Sequence, residues 1–253
     1  HLSIRRQRQM CIRDSHGRIW AACTLIGQGS GATGNGTLAT VEFKAKASGN
    51  ATLHLDETDL VDSKMPPNHI THTRMDGVVE ILGEHDIAIT SVIPLKTVVG
   101  EGFRMRINVT VENQGDYTET FDLILNATLT PPSNTIQTIT VSNLLSGEKR
   151  AITFTWNTAG WSKGEYTIIA YAPPVPGETD IADNTLTYTG GTIKITIPGD
   201  INGDGVVDGK DAGALGLAWP PQPYNPYCDI NDDIVIDGKD AGIVGLNWGK
   251  TDP

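Results

Sequence analysis

The chain has 253 residues, with 30 acidic against 19 basic side chains and a net charge of −11, which disfavours a nucleic-acid partner. Its 28 glycines and 14 prolines are typical of a β-rich chain with many turns, and no apolar run approaches the ~18 residues of a membrane span. Three cysteines do not suggest a disulfide framework.

The first fifteen residues, HLSIRRQRQMCIRDS, are basic, fit no strand or helix period and lack the apolar centre of a signal peptide. They resemble a translated adapter or assembly artefact. We therefore expect residues 1–17 to be unstructured or artefactual, the alternative being a basic tail that binds an anionic partner.

Residues 18–83 contain the strand-like run GTLATVEFK (Gly36–Lys44) after a glycine-rich turn. This run resembles the C-terminal half of a cohesin-like β-sandwich. The resemblance implies a partial domain whose first strands are missing, so that the remaining sheet exposes apolar residues.

Residues 85–197 hold short alternating runs separated by turn signals every eight to twelve residues, which predicts an immunoglobulin-like β-sandwich. In FRMRINVTVEN (Phe103–Asn113), for example, apolar residues occupy one face and polar residues the other.

Within this segment, Trp156, Trp161, the run Gly164-Glu165-Tyr166 and the turn between 177 and 184 are similar to those of CARDB domains from bacterial and archaeal surface proteins. The resemblance implies a spacer or adhesion module. Three acids of the turn, Glu178, Asp180 and Asp183, allow two interpretations: a metal site or a solvated acidic turn.

Two twelve-residue runs, DINGDGVVDGKD (Asp200–Asp211) and DINDDIVIDGKD (Asp229–Asp240), repeat 29 residues apart. Calcium takes six to eight oxygens, and an EF-hand loop supplies them from positions 1, 3, 5, 7, 9 and 12. Those positions are Asp200, Asn202, Asp204, Val206, Asp208 and Asp211, and then Asp229, Asn231, Asp233, Val235, Asp237 and Asp240. The valines would contribute backbone carbonyls. The repeat predicts two bound Ca²⁺ ions.

The segments that precede the loops are not helical. TIKITI (Thr192–Ile197) alternates like a strand, and PPQPYNPY (Pro220–Tyr227) contains prolines that forbid a helix interior. Each loop should therefore be followed by a single helix. Because residues 199–253 hold ten acidic and three basic side chains, we expect the module to fold poorly without calcium.

A calcium loop followed by one helix, repeated twice, resembles a dockerin, and the resemblance covers residues 199–249. It implies docking on a cohesin-type domain through Gly209, Lys210, Gly238 and Lys239. The repeated Gly-Lys pair implies near two-fold symmetry.

Two further features concern the halves of the repeat. Loop position 6 is Gly205 in the first copy but Ile234 in the second, where a β-branched residue at positive φ would be strained, so the second site should be weaker. We expect Trp219 and Trp248, which end equivalent helices, to belong to the core of the module.

The predicted fold class is mainly β: immunoglobulin-like sandwiches followed by a small α module. The leading function is non-enzymatic calcium-dependent docking outside the cell or at its surface, on a cohesin-type domain or another copy of the chain. Two alternatives are a C-terminal fragment of a secreted carbohydrate-active enzyme or protease, and a stalk that binds polysaccharide.

Overall fold

The computed structural model describes most of the chain, which divides into two compact units, His1–Leu82 and Gly83–Pro253. The described residues are 6–13 and 18–25, for the backbone alone, and 43–45, 47–55, 58–62, 64 and 66–252.

The first unit contains two antiparallel strand pairs. Strands β1 (Arg6–Arg13) and β2 (Arg18–Leu25) form one pair, and β3 (Gly49–Leu53) and β4 (Gly77–Ile81) form the other. Residues 6–13 of the segment expected to be unstructured or artefactual form strand β1, and the interpretation of residues 1–17 stays a prediction. Strand β1 pairs with β2 along its whole length, from Arg6 opposite Leu25 to Arg13 opposite Arg18, so its backbone hydrogen bonds come from a strand close by in sequence.

None of the side chains described between residues 43 and 82 is buried, and large apolar ones such as Phe43, Val78 and Leu82 are exposed. Such exposure is what the sequence predicts for an incomplete sheet. The cohesin-like resemblance spans residues 18–83, of which residues 26–42 lie outside the described part of the chain, and it stays a prediction.

The second unit begins with a two-sheet sandwich. Its strands are β5 (Ile87–Pro94), β6 (Val98–Gly100), β7 (Arg104–Asn113), β8 (Glu119–Thr128), β9 (Asn134–Leu144), β10 (Lys149–Asn157), β11 (Gly164–Tyr171), β12 (Thr185–Thr187) and β13 (Ile193–Thr196). One sheet has the order β10-β7-β5, and the other has the order β6-β13-β11-β8-β9, with β12 paired to β11. The prediction of a mainly β sandwich is confirmed.

The sandwich core follows from strict alternation. In β7, Met105, Ile107, Val109 and Val111 are fully buried, whereas the intervening residues are partly or wholly exposed. The inner faces of both sheets contribute to one core, in which Phe154 and Trp156 are the largest buried side chains.

Two short helices follow the sandwich, α1 (Gly209–Ala218) and α2 (Gly238–Leu246). Each contains three glycines, which lower helix propensity. Capping of the helix ends and packing of the helices must therefore offset this loss of helix stability. Both begin with a capping box: the N-cap Asp208 or Asp237 accepts a hydrogen bond from the first turn, and the N3 aspartate accepts one from the N-cap amide. Among the described residues, no helix leads directly into either loop, as the prolines and the β-branched run predict.

The helical module packs on the sandwich through its own small core. Val207, Leu215, Cys228, Ile236 and Val244 are buried there with four other residues, and Phe103 of the sandwich packs against both cores. The module and the sandwich thus form one compact unit.

Candidate metal centres

The loops Asp200–Asp211 and Asp229–Asp240 bring each set of predicted ligands into one turn before a helix. Their first and twelfth positions, Asp200, Asp211, Asp229 and Asp240, are buried, with exposures of 0–3%. The middle positions lie nearer the surface. Four carboxylates this deeply buried must be satisfied by hydrogen bonds or by a cation.

The hydrogen bonds of the first loop converge on its two buried aspartates. Asp200 accepts the amides of Gly203 (2.8 Å) and Gly205 (2.9 Å). Asp211 accepts the amides of Ile201 (2.8 Å) and Asp208 (2.9 Å). The ends of the loop are thereby tied to its centre.

The second loop repeats this pattern except at one bond, since its first aspartate accepts the amide of loop position 5 where Asp200 accepts that of position 4. Asp229 accepts the amides of Asp233 (3.1 Å) and Ile234 (2.9 Å), and Asp240 accepts those of Ile230 (2.8 Å) and Asp237 (3.0 Å). The two loops therefore share one backbone conformation.

That conformation requires positive φ at loop positions 4 and 6. Glycines satisfy it in the first loop, where Gly203 has φ +75° and Gly205 φ +89°. In the second loop, Asp232 has φ 60° and Ile234 φ 71°. The expectation that Ile234 adopts a positive φ is confirmed, and the second loop carries strain that the first lacks.

The predicted partner contacts Lys210 and Lys239 lie on the first turns of the two helices, next to Gly209 and Gly238. Each ammonium lies 2.7 Å from the position-5 carboxylate of its own loop, Asp204 or Asp233. The hydrogen bond from the lysine lowers the pKa of that aspartate and raises the pKa of the lysine.

Both loops fit calcium in the chemistry of their donors, which are carboxylate, carboxamide and backbone oxygens. Their amides orient the carboxylates, and each carboxylate has more lone-pair sites than these bonds use. Among the described residues, no group of three or more His, Cys, Asp or Glu side chains is arranged so that it could hold a metal ion by itself. Asparagine and backbone oxygens would therefore have to complete either site.

Several residues around the loops escaped sequence reasoning. Thr196 and Tyr224 place hydroxyls 2.6 Å from Asp200 and Asp229, respectively. Burial and the bond to Asp229 raise the pKa of Tyr224. A tyrosine in a proline-rich turn gives no sequence signal for this contact.

Three cations of the sandwich also reach the loops. Lys194 donates to the Gly203 carbonyl (2.7 Å), and the buried Lys96 donates to the Asp229 carbonyl (2.9 Å). Arg106 pairs with Asp232 (2.8 Å). The sandwich thus contributes positive charge to an acidic module.

An apolar groove of 320 Å³ lies between the two helices. It is lined by Ala212, Leu215, Gly216 and Trp219 and by their repeat equivalents Ala241, Val244, Gly245 and Trp248. The expectation that both tryptophans belong to the core is wrong, because Trp219 is 40% and Trp248 56% exposed. Trp219 is the C-cap residue of α1 and Trp248 follows the C-cap of α2, and both line the groove.

Of the acids in the turn that follows β11, Glu178 is engaged with the protein itself. Its carboxylate accepts the amides of Ile87 (2.8 Å) and Val175 (2.7 Å) and the side-chain amide of Asn184 (3.1 Å). Asp180 is exposed and accepts the amide of Ala182. Glu178 therefore anchors the turn to β5.

Asp86 and Asp183 lie in the same corner of the sandwich. Burial first, and then the neighbouring carboxylates, raise the pKa of Asp86. Burial likewise raises the pKa of Asp183. The acidic corner of the sandwich consists of Asp86, Glu178, Asp180 and Asp183.

Residues 84–179 match the model of the CARDB family, so the sandwich contains a CARDB domain. A search of curated proteins gave no match. No described helix is long and apolar enough to cross a bilayer.

Solved structures include similar chains. A CARDB domain from Pyrococcus furiosus, crystallised in complex with di-metal ions, is 21% identical over 45% of this chain and 96% of that one, with a TM-score of 0.36. The β-glucosidase EmGH1 from Erythrobacter marinus is 16% identical over 42% of this chain, with a TM-score of 0.31. A β-glucosidase from Listeria innocua is 13% identical over 43% of this chain, with a TM-score of 0.30. The chain spans 16% of the length of either β-glucosidase.

Proposed function

We propose that the chain is a calcium-dependent docking protein that acts outside the cell or at its surface. Its C-terminal module, residues 199–249, would bind a cohesin-type domain, with the CARDB sandwich as a spacer. Calcium would be held by the six predicted oxygen donors of each loop and would offset part of the module's negative charge.

The observation that carries the proposal is the symmetry of the groove. Its eight lining residues form four pairs related by the 29-residue repeat, and they present apolar surface that the described residues leave uncovered. A Cβ atom at Gly216 or Gly245 would meet nothing within 4 Å. The internal packing of the fold therefore does not require glycine at these two positions. A partner that enters the groove would require it, because a side chain there would occupy the space that the partner needs.

The loops stand directly before the helices that form the groove. Asp211 and Asp240 are both predicted ligands and N3 residues of the capping boxes that start α1 and α2. Bound calcium would thereby stabilise the helix starts and hence the groove. Loss of calcium should weaken docking through the fold of the module.

The test uses the full chain and immobilised cohesin domains in a biosensor assay, with calcium or with EDTA. We expect calcium-dependent binding that is lost in the double variant Asp200→Ala, Asp211→Ala. The double variant Gly216→Leu, Gly245→Leu adds two side chains at positions where a Cβ atom meets nothing within 4 Å, and by occupying the groove it should weaken binding at least tenfold.

The matched control is Gly213→Leu with Gly242→Leu. These helical glycines also face open space but do not line the groove, so wild-type affinity is expected. Equal binding by the groove-filled variant would contradict the proposal. Calcium-dependent oligomers of the chain alone, seen by light scattering and abolished in the groove-filled variant, would identify a second copy as the partner.

A further inference from the structure

The acidic corner of the sandwich holds an unusual concentration of unsatisfied oxygens. Among the described residues, six buried side-chain nitrogen or oxygen atoms lack a hydrogen-bond partner, and three of them are Asp86 Oδ1, Asp183 Oδ1 and Asn184 Oδ1. Buried polar atoms without partners are costly and rare, so three in one corner call for a physical cause.

Hydrogen bonds around these residues show that they are neighbours. Gln114 donates its backbone amide to the Asp86 carbonyl (3.0 Å), while its side-chain amide lies 3.5 Å from Asp183 Oδ2. The side-chain amide of Asn184 shares Glu178 Oε1 with the amide of Ile87, the residue after Asp86. The three residues thus lie in one region, where the start of β5 meets the turn before β12.

Asn184 points to a ligand independently of the acids. Its side chain is 1% exposed, and its nitrogen is fixed by Glu178, which sets the orientation of the carboxamide. Nothing in the described part of the chain donates to its oxygen. A buried carboxamide oxygen without a donor, in a corner that also holds the carboxylates of Asp86 and Asp183, suits a cation.

We infer that the acidic corner binds one hard divalent cation, calcium, through Asp86 Oδ1, Asp183 Oδ1 and Asn184 Oδ1, with water completing the coordination. Calcium suits this set better than magnesium does, since it accepts carboxylate and carboxamide oxygens in irregular geometry and loses water more readily. The exposed Asp180 adds negative charge at the entrance.

This site differs from the C-terminal loops in residues, position and expected affinity. With three protein donors it should resemble weak extracellular calcium sites, with a dissociation constant of about 0.1–1 mM. Glu178 serves as a positioning residue, because all its contacts are with the protein.

The test is a calcium titration of the ¹⁵N-labelled full chain followed by NMR. We expect saturable shifts of the Asn184 side-chain amide and of the Ile87 and Thr185 backbone amides, with at least tenfold weaker binding in Asp86→Asn and in Asp183→Asn. Amides of residues 199–252 report separately on the C-terminal loops, so either proposal can fail alone. Asp122→Asn removes an exposed carboxylate of β8 and should leave the corner titration unchanged.

Asp86→Asn also removes like-charge repulsion, so in EDTA it should raise the melting temperature of the chain, which shows that the variant folds. The inference is overturned if the NMR signals of the corner amides do not shift at calcium concentrations up to about 20-fold above the expected dissociation constant. It is also overturned if calcium shifts these signals in Asp86→Asn as much as in the wild type. A response of the corner amides to pH but not to calcium would also overturn the inference, because protonation of a carboxylate, and not a bound cation, would then neutralise the corner.

Discussion

At the scale of single residues, Ile234 is the side chain that fits its backbone least well. It sits at φ 71°, where the equivalent Gly205 has φ +89°, and its side chain is 62% exposed. A β-branched residue in this region is strained by roughly 1–3 kcal/mol. Little burial offsets that strain.

Ile234→Gly should therefore stabilise the chain. The relief of strain exceeds the entropic cost of a glycine, about 0.5–1 kcal/mol, so we expect a net gain of about 1 kcal/mol and a rise of about 2–4 °C in melting temperature. The neighbouring Val235→Gly is the control: Val235 is also exposed but has no positive φ, so its replacement should destabilise. Calorimetric calcium titration of Ile234→Gly should also bring the two loops closer in affinity.

At the scale of elements, the turn between β9 and β10 depends on one carboxylate. Glu148 accepts the Leu145 amide (3.0 Å) and two bonds from Arg150 (2.7 and 3.0 Å). The bond from the Leu145 amide first, and then that from Arg150, lower the pKa of Glu148 below its ordinary 4.5. Ionised Glu148 therefore stabilises the turn.

A lowered pKa fixes the direction of the pH dependence. The contribution of Glu148 is present above pH 4.5 and is lost as the pH falls through the lower pKa of the folded state. Glu148→Gln should lower the melting temperature by a few degrees at pH 7, and this difference should shrink as the pH falls below 4.5. The exposed Glu101→Gln should show a smaller difference at pH 7, and a constant Glu148→Gln difference down to pH 2 would contradict the role of the charge.

Sequence reasoning succeeded for elements whose signal is local. Alternation predicts β7 and β10, and loop chemistry with prolines upstream predicts two single helices. It missed β6, since the three residues of Val98–Gly100 show no period, and β1, whose partner strand supplies its bonds. The buried and exposed faces of β7 are as predicted, because alternation alone decides them.

The surroundings of the candidate sites could not be predicted in the same way. Lys96 and Asp229 are 133 residues apart, and Ile87 and Glu178, which are hydrogen-bonded at the acidic corner, are 91 residues apart. Such contacts depend on how the sheets are stacked, which no local pattern encodes. The loop residues could be predicted because all the oxygen ligands proposed for one calcium ion lie within twelve consecutive residues.

At the scale of the whole molecule, the contact between sandwich and module determines whether the second unit unfolds as one. Besides Phe103, which packs against both cores, polar contacts join the two parts. The pair between Arg106 and Asp232 is largely buried, with side-chain exposures of 24% and 12%. Both the Nε and the terminal nitrogen of Arg106 donate to one oxygen of Asp232.

Arg106→Ala should uncouple the module from the sandwich. It leaves the Asp232 carboxylate buried without its cation, which should cost about 2–3 kcal/mol. Differential scanning calorimetry should then resolve two transitions where the wild type shows one. Arg104→Ala, on the same strand but exposed, should leave a single transition.

Asp232→Asn completes a double-mutant cycle, because asparagine tolerates the φ of 60° found at this position. If the pair couples the two parts, the double variant should be less destabilised than the sum of the single variants. Additive losses, with one transition in every variant, would show that apolar packing around Phe103 holds the unit together without the ion pair. In that case amide hydrogen exchange in residues 199–252 should be the same in Arg106→Ala as in the wild type, whereas an uncoupled module should exchange faster.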